Sequence, residues 1–136
     1  MRRWMPLLFL VFLQCGTLYT KAGDSCSESG ELVCGEPTSI MGMLPAVKIL
    51  HCVSSAYTEV GKCVQSCDHV TGVRTAVGCG DKTNRAVANA RCDAKGAACS
   101  MDGTQVLNCT NSVWTPIQTC SQSRCVLKMS GLIGCE

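Results

Sequence analysis

The chain has 136 residues, of which 46% are hydrophobic and 16% charged, with a formal net charge of +2. Arg2, Arg3 and Lys21 precede Gly23, leaving nine basic against ten acidic residues from Gly23 onward and no basic run. A near-neutral chain of this kind lacks the driving force for nucleic-acid binding or for electrostatic attachment to a membrane.

The first residues carry the pattern of a secretory leader. Arg2 and Arg3 supply a positive start, and Leu7 to Leu13 form an unbroken apolar run of seven residues. That run is far shorter than the ~20 residues needed to span a bilayer. Thr20 and Ala22 fit the small-residue positions before a cleavage point, which predicts a leader over 1–22, with cleavage after Thr17 as the second choice. Of the 13 cysteines, Cys15 falls inside the leader, and an even set of twelve remains. Cysteine then makes up about a tenth of the mature chain, the density of a disulfide scaffold. Disulfides persist outside the cytosol, so a secreted, extracellular protein is expected.

The twelve cysteines form two sets of six. Cys26, Cys34, Cys52, Cys63, Cys67 and Cys79 enclose 7, 17, 10, 3 and 11 residues; Cys92, Cys99, Cys109, Cys120, Cys125 and Cys135 enclose 6, 9, 10, 4 and 9. The residues between them also correspond. Gly30 and Gly96 each stand four after the first cysteine, and Ile49-Leu50-His51-Cys52 matches Val106-Leu107-Asn108-Cys109. Tyr57 and Trp114 each stand five after the third cysteine, and Val77-Gly78-Cys79 matches Ile133-Gly134-Cys135. Two tandem six-cysteine modules over 23–80 and 92–136 are therefore expected, joined by a polar linker over 81–91 that is either a short helix or irregular. Modules of ~45–55 residues rarely bury enough apolar surface to fold unaided, and three bridges each offset that deficit. The sequence does not choose among the many possible pairings.

In chain order, the first module carries an insertion from Gly35 to Pro45 with the apolar residues Ile40, Met41, Met43 and Leu44. It is either a loop that covers the module core or an exposed patch for a partner. Val47 to Cys52 and Tyr57 to Cys63 have strand composition, with Ser54-Ser55 as turn residues between them. Thr104 to Cys109 and Trp114 to Cys120 repeat this around Asn111-Ser112. Arg74 to Cys79 and Gly131 to Cys135 are candidates for a third strand in each copy. No mature segment shows a sustained helical period. The expected class is a small disulfide-rich, mainly β fold built of antiparallel modules packed edge to edge.

The second copy reads Cys92, Gly96, Cys99, then Asp102-Gly103 and a short strand to Cys109, then Trp114, Cys120, Cys125 and Cys135. Over about 45 residues this resembles the small fungal chitin-binding modules of carbohydrate-binding module family 19, and the first copy resembles them as a diverged relative. The family's glycine before the tryptophan is Val113 here, and its Gly-Thr between the paired cysteines is replaced within Gln122 to Arg124. The style also resembles secreted cysteine-rich effectors of plant-associated fungi. The resemblance implies a non-catalytic domain that binds chitin or another cell-wall glycan.

An exposed indole can stack on the apolar face of a sugar ring, which makes Trp114 the expected anchor. Asn111, Gln118, Asp102 and Gln105 are the expected polar neighbours, and Tyr57 is a second platform that would add avidity. The alternative for Trp114 is a core residue packed on the bridges. Other chemistry has less behind it. Cys63 and Cys67 with His69, and Cys120 with Cys125, have loosely zinc-like spacing, but disulfides are expected and no metal or cofactor is. No triad or carboxylate pair marks an enzyme. Asn108-Cys109-Thr110 is a glycosylation sequon at Asn108. Two functions stay open: a monomeric glycan-binding protein, as in a fungal virulence effector, and an effector or inhibitor that presents disulfide-held loops to a host protein.

Overall fold

The computed structural model describes residues 19–38 and 45–136. The apolar run Leu7 to Leu13 of the expected leader and the insertion residues Ile40, Met41, Met43 and Leu44 lie outside the described residues. The fold is small, disulfide-rich and made of strands, with no helix among the described residues.

Three strands form the first sheet: β1 (Leu32–Thr38), β2 (Ala46–Val53) and β3 (Ala56–Val64), in that order and antiparallel. The second sheet has six strands in sequence order: β4 (Cys67–His69), β5 (Val77–Cys79), β6 (Asn84–Ala86), β7 (Ala97–Ser100), β8 (Gln105–Thr110) and β9 (Val113–Thr119). Its pairs are antiparallel except β6 with β7, which is parallel. A last hairpin pairs β10 (Cys125–Leu127) with β11 (Ile133–Cys135).

The two long hairpins follow from their turns. Ser54 and Ser55 have φ of 51° and 65°, and Asn111 and Ser112 have 51° and 62°. Two successive positive-φ residues match the twist of the flanking strands and close a two-residue loop. Each hairpin also carries a bulge at an equivalent place, between Ile49 and Leu50 and between Val106 and Leu107.

All twelve cysteines from Cys26 onward are paired. The bridges are Cys26–Cys52, Cys34–Cys67 and Cys63–Cys79, then Cys92–Cys109, Cys99–Cys125 and Cys120–Cys135. Each set of six thus joins first to third, second to fifth and fourth to sixth. The half-cystines double as core: Cys99 and Cys125 pack with Val106 and Cys120, and Cys63 and Cys79 pack with Leu32, Ile49 and Val77.

The expected linker is part of the sheet. Asn84–Ala86 forms β6, wedged between β5 of the first cysteine set and β7 of the second. Ala86 is fully buried there, in a cluster with Ala76, Cys92, Ala98, Leu107 and Trp114. One core therefore draws on both halves and on the segment between them. The neighbouring strands each offer an open backbone edge, and β6 satisfies both, which neither a helix nor an irregular link would do.

Candidate binding site

Trp114 is 2% exposed, with its ring packed in the cluster that contains Ala76 and Leu107. Its indole Nε1–H donates to the carbonyl oxygen of Thr75 at 3.1 Å. Both the ring and its polar handle are used inside the protein. The expected stacking platform is corrected accordingly: Trp114 has no free face for a sugar, because the loop before β5 covers it.

That loop is fixed by a second contact between the halves. Thr75 Oγ1 donates to Asp93 Oδ1 at 2.5 Å, the Thr75 amide donates to the same oxygen at 3.3 Å, and the Arg74 amide donates to Asp93 Oδ2 at 3.0 Å. Burial works to raise the Asp93 carboxyl, but these bonds outweigh it and hold its pKa below the ordinary aspartate value. Arg74 also forms an ion pair with Glu28 at the surface. Nothing local in the sequence marks Thr75 or Asp93, since their partners lie on the other cysteine set.

Tyr57 is partly buried and its hydroxyl donates to Glu31 Oε2 at 2.8 Å. Burial first, and then the Glu31 carboxylate, push its pKa up to about 12. Asn111 occupies a positive-φ turn position at one end of the β8–β9 hairpin. Gln105 lies at the other end, paired with Thr119, and the exposed Gln118 pairs with Val106 beside it. These ends are roughly 20 Å apart at ~3.4 Å per residue, so Asn111 and Gln105 do not flank one sugar.

Asp102 caps the β7–β8 turn. Its Oδ1 accepts from Ser100 Oγ at 2.5 Å, from the Thr104 amide at 3.0 Å and from Thr104 Oγ1 at 2.8 Å. The Ser100 and Thr104 bonds lower its pKa. Gly103 follows at a φ of 73°, a left-handed conformation that suits glycine in this turn, and a side chain there would meet Arg85. Cys63, Cys67, Cys120 and Cys125 have their sulfurs in disulfides, so the zinc-like spacings supply no thiolates. Asn108 is on β8, paired on both sides to Ala97 and Thr115.

Asp102 and Gln105 meet again at an open groove between the halves, of about 590 Å³. Val60 and Gly61 of β3 form one side; Val87, Ala88, Ser100 and Met101 complete it with Asp102 and Gln105. The groove is open to solvent, and its lining is more apolar than polar, with Ser100, Asp102 and Gln105 as the polar groups. Of the expected polar neighbours, Asp102 and Gln105 line this groove, and Val60, Val87 and Met101, which also line it, carry no signal in the sequence. Their convergence depends on how β3 lies against the second half, and no local pattern encodes that. Comparison of the chain with protein-family models, with curated proteins and with solved structures finds no match.

Proposed function

We propose that the protein is a non-catalytic extracellular binding protein that holds a segment of a partner protein in the groove between its halves. The observation that supports this most is the lining: Val60, Val87, Ala88 and Met101 are apolar, Ser100, Asp102 and Gln105 polar, and no aromatic ring lines the groove among the described residues. Apolar side chains on an extended segment can pack against these residues. Three disulfides, a class of bond typical of extracellular proteins, brace each half, and the β5–β6–β7 pairing joins the halves beneath the groove's two walls. A host protein is the natural partner for a secreted effector of this style.

A glycan such as chitin is the second reading, favoured by the presence of two of its expected polar contacts, Asp102 and Gln105, in the groove. One experiment separates the two. The oxidised protein is panned against a displayed random-peptide library and, in parallel, sedimented with insoluble chitin, cellulose and xylan. Peptides that bind, and that lose at least about tenfold in affinity with Met101→Glu or Gln105→Arg, support the protein partner. Retention on chitin that is lost in Asp102→Ala/Gln105→Ala transfers the site to the glycan. Binding indifferent to all these variants overturns the groove.

A further inference from the structure

The two cysteine sets place the same short hairpin at the same point. In β4–β5, Cys67 pairs with Cys79, Asp68 with Gly78 and His69 with Val77. In β10–β11, Cys125 pairs with Cys135, Val126 with Gly134 and Leu127 with Ile133. Their surroundings differ. The outer edge of β5 pairs with β6, and its turn packs into the second half, leaving Ala76 3% and Val77 0% exposed. The outer edge of β11 has no strand partner among the described residues. Its turn leaves Met129 fully exposed and Leu132, the counterpart of Ala76, 69% exposed. Larger apolar side chains stand uncovered where their counterparts are buried.

The receiving face has a counterpart too. In the second half, the Asn89 amide donates to the Trp114 carbonyl at 2.7 Å and the Trp114 amide to the Ala90 carbonyl at 2.8 Å. In the first half, the Gly23 amide donates to the Tyr57 carbonyl at 2.8 Å and the Tyr57 amide to the Asp24 carbonyl at 2.9 Å. Gly23 and Asn89 share a positive φ. Thr20 bridges Gly35 in parallel, as β6 does β7. Thr20 to Asp24 and Tyr57 therefore stand where Ala86 to Ala90 and Trp114 stand. Among the described residues no hairpin covers them.

We propose that the Leu127–Ile133 hairpin docks on the Thr20–Asp24 and Tyr57 face of a second copy of this chain, in the form that begins at Leu18 and so keeps residues 20–22. The contact that joins the halves within one molecule is then repeated between molecules. The two surfaces differ, so the contact is heterologous and copies add head to tail. It does not depend on the groove or on what the groove binds.

The test is sedimentation of the oxidised protein beginning at Leu18 over a wide concentration series, alongside Leu132→Asp. A photoreactive residue at position 132 is also cross-linked in a mixture of light and isotope-labelled protein. The expected result is a mass that rises with concentration for the wild type, and a monomer for Leu132→Asp with unchanged circular dichroism. Mixed-label cross-links should run from 132 to residues 20–31 or 57. A mass independent of concentration, association that survives Leu132→Asp, or cross-links between two hairpins would overturn the proposal.

Discussion

Single side chains in this protein do their work across the boundary between the cysteine sets. Trp114 was legible as a special residue from its place after the third cysteine, but not as a buried one. What buries it is a loop 39 residues earlier, whose Thr75 carbonyl accepts the indole N–H. A lone tryptophan in a disulfide module looks the same in sequence whether it faces solvent or a partner loop. Asp93 holds that loop from the other side. Its folded-state pKa is depressed, so the stability it contributes is present above its unfolded value of ~3.9 and is lost as pH falls through the folded value. Asp93→Asn removes an acceptor for the Arg74 amide and weakens those for Thr75. The expected cost in urea unfolding at neutral pH is about 1 kcal/mol, given the partial exposure of the site. Below about pH 4 the wild-type and variant curves should converge. A constant difference down to pH 2 would show that the carboxylate charge plays no part.

At the scale of elements, the long hairpins were written plainly. Apolar runs around Ser54-Ser55 and Asn111-Ser112 gave β2, β3, β8 and β9, and the bounds differ by a residue or two where the ladders extend. The short strands β4, β6, β7 and β10 were not legible, nor was the seven-residue β1, whose second half falls in the segment read as an insertion. Strands of three or four residues have too little alternation to show, and β6 exists only because β5 and β7 flank it. The N-terminal segment shows the same effect. Thr20 pairs with Gly35, and Lys21 donates its amide to Asp24. Cleavage after Ala22 would delete that bridge, whereas cleavage after Thr17 would keep it. A chain beginning at Leu18 should therefore melt a few degrees above one beginning at Gly23, an increment of about 1 kcal/mol. Equal melting temperatures would mean that residues 18–22 add nothing to the fold.

For the whole molecule, the repeat of cysteines was visible in sequence, and the six bridges follow one order in both sets. The continuity between them was not visible. A six-stranded sheet runs from β4 to β9, and the cluster around Trp114 takes Ala76 from one set, Ala86 from the connection and Leu107 from the other. Cutting the chain in the connection would expose these residues on both sides. The protein should unfold in one cooperative transition, with calorimetry, circular dichroism and tryptophan fluorescence coincident. Two separated transitions would show that the halves are energetically independent. The same continuity sets the walls of the groove, since Val60 and Gly61 come from one half and Met101, Asp102 and Gln105 from the other.

The claim on which the site assignment turns is that Trp114 ties the halves together from inside and does not face a ligand. In a chain beginning at Leu18 or Gly23, which lacks Trp4, Trp114 is the sole indole, so quenching of its fluorescence by acrylamide measures it alone. Blue-shifted emission and weak quenching are expected, both unchanged by chitin oligomers at saturating concentration. Emission and quenching close to those of a free indole, with protection on adding the oligomers, would contradict it and restore Trp114 as the sugar platform.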